Sequence, residues 1–144
     1  MTTPSPKLTA VTLGVRDVPA SARFYEALGF KRKFGATGDE IAFFDAGGAV
    51  LALWDWDKLG EDSVVSSQPR PLTFRGATLA WNCATLAEVD SAFEKAMAVG
   101  AGLLRRPEKT EYGGYRGYFS DPDGHVWEAM WMDPAAIPSG DQPG

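Results

Sequence analysis

The chain has 144 residues, 14 basic against 19 acidic for a net charge of −5, with 44% hydrophobic and 23% charged residues. That composition fits one ordinary globular domain with a real core; it lacks the clustered Lys and Arg that phosphate-backbone binding needs, which argues against a nucleic-acid partner. One histidine, His125, and one cysteine, Cys83, exclude an internal disulfide and every metal site that draws two imidazoles or two thiolates from a single chain.

Residues 1–7 hold Pro, Ser, Thr and Lys without the apolar core of a secretory signal, and read as a disordered N-terminus. No apolar run reaches the about 18 residues of a membrane span, so a cytoplasmic protein without membrane contact is expected. Residues 8–16 (LTAVTLGVR) alternate apolar with small or polar residues, the pattern of a half-buried strand. Asp17 is placed to cap a helix with Pro19 in its first turn; Val18, Ala22, Tyr25 and Leu28 follow at helical spacing, and Gly29 offers a left-handed stop. Strands are expected near 30–35, 40–45 and 49–55, with Gly47-Gly48 turning the last pair. Residues 57–75, rich in Ser, Pro, Gln and charge, read as a linker.

The order then repeats. Residues 77–84 (ATLAWNCA) read as a strand, and Thr85-Leu86-Ala87-Glu88 is a capping box opening a helix whose Leu86, Val89, Phe93, Ala96 and Met97 share a face before Gly100 ends it. Strands follow near 101–106, 114–120 and 125–132, the last two joined by the turn Asp121-Pro122-Asp123-Gly124. Lys31-Arg32-Lys33 and Arg105-Arg106 read as solvated strand edges, and the tail 133–144 as flexible. Ala10-Val11-Thr12-Leu13 aligns with Thr78-Leu79-Ala80-Trp81, and Gly48 through Leu53 with Gly124 through Ala129. The expected fold is therefore α+β: one domain over 8–132 made of two tandem βαβββ modules, 8–56 and 76–132. Together they form a curved mixed sheet around a concave cavity, with the helices outside.

With VTLGVRDVPASARFYEALGF in the first half and GGYRGYFSDPDGHVWEAMW near the end, the chain resembles the vicinal oxygen chelate superfamily of glyoxalases, extradiol dioxygenases and fosfomycin- and bleomycin-resistance proteins. The resemblance spans about residues 8–132 and marks the fold more specifically than an activity, because the fold hosts lyases, dioxygenases, transferases and pure binders. It implies a homodimer. It also implies that metal-binding members carry ligands at positions that are here Ala10, Ala52, Thr78 and Glu128. Alanine has no donor atom and threonine is a poor ligand, so neither metal nor other cofactor is expected.

Glu128, the ionisable residue of that set, has two readings. Burial without a cation would raise its pKa and suit it to general-base work, whereas nearby hydroxyls or backbone groups could simply satisfy it. His125 follows a turn glycine, on the sheet face opposite Glu128, and reads as an exposed turn residue. Ser120, His125 and Asp123 share one tight turn and do not make a triad. Cys83 should face the helix layer as an inert thiol. Strand alternation places Ala10, Thr12, Ala52, Trp54, Thr78, Ala80, Glu128 and Met130 on one face, as the expected ligand-binding set. Trp81, Trp127 and Trp131 fall on the core side, while Trp56, Tyr112, Tyr115 and Tyr118 are placed to rim the opening. Asp55, Asp57, Glu61 and Asp62 could add an acidic rim or form a solvated loop.

Three functions remain open at this level. The leading one is binding of a small aromatic or hydrophobic molecule, as in antibiotic sequestration or resistance. The alternative is a glyoxalase-like lyase or isomerase with Glu128 as general base. The third is a partner-binding module whose cavity is filled by its own side chains.

Overall fold

A computed structural model describes residues 3–35 and 39–136. The chain divides into two compact units, Met1–Arg70 and Pro71–Gly144. The first contains β1 (Ala10–Val15), α1 (Val18–Leu28), β2 (Lys31–Lys33), β3 (Ile41–Asp45), β4 (Val50–Asp55) and α2 (Trp56–Val64). The second contains β5 (Thr78–Asn82), α3 (Leu86–Ala98), β6 (Gly102–Lys109), β7 (Gly114–Ser120), β8 (Val126–Met132) and a short 3-10 turn at Pro134–Ala136. The rest of the expected tail, 137–144, lies outside the described residues.

Each unit holds a four-stranded mixed sheet, ordered β1-β4-β3-β2 in one and β5-β8-β7-β6 in the other. The duplication extends to the register. Ala10 pairs with Val50 and Thr12 with Ala52 in the parallel β1–β4 pair; Thr78 pairs with Val126 and Ala80 with Glu128 in β5–β8. The antiparallel neighbours agree as well, since Phe43 faces Ala52 and Tyr118 faces Glu128.

The helices form where local chemistry specifies them. Asp17 Oδ1 accepts the Ala20 N–H at 3.0 Å to start α1. Gly29 (φ 114°) stops it, its N–H donating to the carbonyls of Tyr25 and Glu26. Val18, Ala22, Tyr25 and Leu28 are buried, as are Leu13, Val15, Phe44, Leu51 and Leu53 on the facing sheet. In the second unit Thr85 Oγ1 accepts the Glu88 N–H at 3.1 Å, while the Glu88 carboxylate reaches back to the Ala84 N–H at 2.7 Å. The box closes one residue earlier than its usual form. Val89, Ala92, Phe93 and Ala96 of α3 are buried, as are Phe119, Trp127 and Ala129 of the sheet; the Phe93 and Phe119 rings meet edge-on at 6.4 Å. Burying each large apolar side chain stabilises the fold by about 1.5–3 kcal/mol.

The basic clusters lie on β2 and β6, which are edge strands as expected, and Arg32 also spreads its guanidinium over the buried Phe44 ring at 5.6 Å. The Asp121-Pro122-Asp123-Gly124 turn is tied to a buried side chain. Asp121 Oδ1 accepts the N–H groups of Asp123 and His125 at 2.9 and 2.8 Å, and Gly124 takes φ 85°.

The expected linker 57–75 differs from the structure, because its first part is helical. Asp55 Oδ1 caps α2 through the Lys58 N–H at 3.0 Å, and the Trp56 indole N–H donates to the Gln68 carbonyl at 2.6 Å. The Trp56 ring lies against Gly14, where a Cβ would come within 2.8 Å of Cε3. Gly14 alternates with the buried Leu13 and Val15, so this contact is on the sheet face opposite α1. None of the described helices is long and apolar enough to cross a membrane.

Candidate functional site

In the second unit, α3 covers the face of Phe119, Trp127 and Ala129 and leaves the other face to Thr78, Ala80, Glu128 and Met130, as alternation predicts. Thr78 and Ala80 are exposed, whereas Glu128 and Met130 are half-buried. Across the β7–β8 pair, Tyr118 stands opposite Glu128 and Arg116 opposite Met130. The Tyr118 hydroxyl donates to Glu128 Oε2 at 2.9 Å, and this bond, with a smaller desolvation effect, holds the phenol above its ordinary pKa. Arg116 lies over the Tyr118 ring, Cζ 5.7 Å from its centroid, with 13% of its side chain exposed. Its one polar contact is Glu108 Oε1 at 3.4 Å, the same oxygen that Arg105 Nε holds at 2.7 Å. Glu108 is consequently kept below the usual carboxylate range, chiefly by its hydrogen bond from Arg105.

The first unit carries Ala10, Thr12, Ala52 and Trp54 on its corresponding face. Register equivalence puts Ile41 where the second unit has Arg116, Phe43 where it has Tyr118, and Ala52 where it has Glu128. Ala52 is only 2% exposed, so this member of the expected set lies within the packed interior. Trp54 is half-buried.

The structure therefore gathers the eight expected ligand-face residues as two sets of four, one in each unit. It also supplies a partner for Glu128 that the sequence reading put at the rim. Tyr118 lies inside β7, not at a strand end, and the register places its side chain over the sheet. Counting from the expected four-residue turn, 121–124, would have set 118 opposite 127; the pairing leaves five residues, 121–125, between Ser120 and Val126 and so brings 118 opposite 128.

Other placements also change. Tyr115 donates to Asp90 Oδ1 of α3 at 2.6 Å, on the helix side of the sheet, and this bond pushes its pKa up to about 12. Trp56 opens α2 instead of rimming a cavity. His125 is half-buried, not exposed: Arg75 Nη1 approaches its Nδ1 at 3.2 Å. A guanidinium can only donate, so Nδ1 is the acceptor in this contact. Trp127 is core, as expected, while Trp131 and Trp81 remain half-exposed towards the ends of their strands. Asp55 of the expected acidic rim is used as the α2 cap, and Asp57, Glu61 and Asp62 ride on that exposed helix. Cys83 is half-buried, its thiol pushed above its ordinary pKa by burial and by the nearby Glu88.

The positions that hold metal in metal-binding relatives do not suit a divalent ion here. Ala10 and Ala52 offer no donor atom, Thr78 only a neutral hydroxyl, and Glu128 is engaged by Tyr118. Among the described residues, no three His, Cys, Asp or Glu side chains come together in a group able to hold a metal ion.

Solved structures with the same architecture extend over nearly the whole chain. A glyoxalase-related enzyme from Fulvimarina pelagi is 38% identical, covers 95% of each chain and superposes with a TM-score of 0.77. A glyoxalase/bleomycin resistance protein/dioxygenase from Nocardioides is 27% identical over 99% of this chain and 91% of its own, with a TM-score of 0.75. A lactoylglutathione lyase from Agrobacterium tumefaciens shares the fold at 22% identity, covering 90% of this chain and 96% of its own, with a TM-score of 0.64. The family profile matches residues 7–129, a span that runs from before β1 into β8 and includes Glu128. The chain belongs to the glyoxalase/bleomycin resistance protein/dioxygenase superfamily.

Proposed function

We propose that this protein binds a small aromatic or hydrophobic molecule on the helix-free face of its second unit, without the metal used by other members of the superfamily. The observation that carries this reading is the Tyr118–Glu128 hydrogen bond beside exposed Thr78 and Ala80. A carboxylate held in one orientation next to small side chains and the adaptable Met130 offers a polar anchor and an apolar shelf. On the first unit, Trp54 with Ala10 and Thr12 is proposed as a contact surface of its own, with Ala52 buried beneath it. The resemblance further favours a homodimer; a sedimentation mass of one chain at every concentration would remove that element.

The test is isothermal titration of the purified protein with a panel of aromatic compounds, alongside tryptophan fluorescence. Saturable binding that weakens about tenfold in Glu128→Gln is expected, on the scale of one hydrogen bond to a charged group. Loss of ligand-induced quenching in Trp54→Phe would assign Trp54 to the contact set, and unchanged quenching would exclude it. A folded protein that binds no member of the panel overturns the reading.

The second reading is a glyoxalase-like lyase or isomerase with Glu128 as general base. It is favoured by the Tyr118 hydroxyl, a proton donor placed 2.9 Å from the carboxylate, and by the description of the 38% identical relative as an enzyme. Exchange of the carbon-bound proton of an α-hydroxy ketone in deuterated water, abolished in Glu128→Gln, would establish it.

A further inference from the structure

Four side chains on the helix-free face of the second unit form a square across the β7–β8 pair. Arg116 stands opposite Met130 and Tyr118 opposite Glu128, so the two charged residues occupy diagonal corners. Backbones at such corners are about 7–8 Å apart, within reach of long side chains. Arg116 and Glu128 nevertheless make no ion pair with each other. Arg116 spends its one polar contact on Glu108, at 3.4 Å, and Glu128 is held by the Tyr118 hydroxyl.

Glu108 is shared: the shorter bond to the same oxygen belongs to Arg105, so two guanidinium groups stand against one carboxylate. A guanidinium has five N–H donors in a fixed fork. Here it is stacked on Tyr118, 13% exposed, with one long hydrogen bond. Its orientation is set, and among the described residues Glu108 is its one hydrogen-bond partner.

The fold itself does not require these charges. At the equivalent corners the first unit has Ile41, Phe43, Ala52 and Trp54, which are all apolar, on a sheet of the same order and register. Opposite charges have therefore been placed on one copy of a duplicated surface whose other copy is built without them.

Resting on the small-molecule reading above, we propose that this square selects a zwitterion. The carboxylate of the ligand meets the Arg116 fork, its ammonium meets Glu128, and an apolar body rests on Met130 and the Tyr118 ring. Binding is non-covalent and transfers no group. Arg116 is a specificity-determining residue, and Glu128 is its counterpart of opposite sign.

The experiment uses the full chain and four probes sharing one ring: L-phenylalanine with both charges, 3-phenylpropionate with the anion alone, phenethylamine with the cation alone, and neutral benzyl alcohol. In isothermal titration L-phenylalanine should bind about tenfold more tightly than either singly charged probe. Arg116→Gln should weaken L-phenylalanine and 3-phenylpropionate about tenfold and leave phenethylamine unchanged; Glu128→Gln should weaken L-phenylalanine and phenethylamine and leave 3-phenylpropionate unchanged. Circular dichroism checks that both variants fold, and Arg116→Lys, which keeps the charge without the fork, should fall between wild type and Arg116→Gln. Equal affinity for the four probes, or an Arg116→Gln effect of the same size on all of them, overturns the zwitterion proposal and leaves the small-molecule reading standing. Binding of benzyl alcohol without L-phenylalanine has the same meaning. If none of the four binds, the reading on which the proposal rests falls with it.

Discussion

Tyr118 and Glu128 face each other across an antiparallel strand pair, and the phenol donates to the carboxylate at 2.9 Å. Glu128 is therefore both satisfied and oriented: the hydroxyl that meets its hydrogen-bonding need also points the remaining lone pairs at whatever shares that face. Of the two sequence-level readings of Glu128, as a satisfied carboxylate or as a chemically useful one, the hydrogen bond supplies the nearby hydroxyl that the first one asked for.

The pair can be read from the phenol. Because Glu128 raises the Tyr118 pKa, Glu128→Gln should move one tyrosine ionisation downward, towards the ordinary value of about 10. Ultraviolet difference titration of wild type against Glu128→Gln and Tyr118→Phe would show it. An identical alkaline titration in wild type and Glu128→Gln would mean that the bond does not persist in solution.

Tyr115 gives a pH dependence of known sign. Its folded pKa, about 12, lies above the unfolded value because its hydroxyl donates to Asp90. The folded state therefore keeps a proton that the unfolded chain loses. The stabilisation is complete below about pH 10 and should fade as pH rises through about 12. Tyr115→Phe should flatten this part of the stability curve, measured by urea denaturation between neutral and alkaline pH.

Cys83 should be a slow thiol. Burial and Glu88 both disfavour its thiolate, and the thiolate is the reacting species. At mildly alkaline pH its labelling by a disulfide reagent should lag well behind that of a free cysteine, and denaturant should abolish the difference. Fast labelling of the native protein would contradict the burial.

Two glycines are sites of close approach. A Cβ on Gly14 would lie 2.8 Å from the Trp56 ring and one on Gly117 2.9 Å from Pro107 of the neighbouring strand. Gly14→Ala and Gly117→Ala should each destabilise by about 1–3 kcal/mol, the usual cost of overpacking. Gly14→Ala should also loosen α2, visible as faster amide exchange over residues 56–64.

Most of the fold was legible because its boundaries are written in local chemistry. Asp17, Gly29, Thr85 and the Asp121–Gly124 turn act within a few residues of where they stand, and each has the structural role the sequence suggested. The helix α2 was not legible, since Gly60 and Ser63 weaken it locally and the Trp56–Gly14 contact that supports it spans some forty residues of chain. The helix-free face of the second unit was legible as parity, which places Thr78, Ala80, Glu128 and Met130 together. Its partners Tyr118 and Arg116 depend on pairing between strands, which single-strand alternation does not specify. How far Ala52 is exposed depends on packing by its neighbours, which strand parity does not specify.

The buried carboxylate of Asp121 has a consequence for how this protein can change. By holding two backbone N–H groups of the turn, it fixes the number of residues between β7 and β8. One inserted residue would slip β8 by one position, sending Glu128 beneath α3 and Trp127 to the open side. The connection between β7 and β8 thereby decides which side chains share the open face with Tyr118 and Arg116. Substitutions along the strands can vary that face, while a change in turn length would exchange it for the core side.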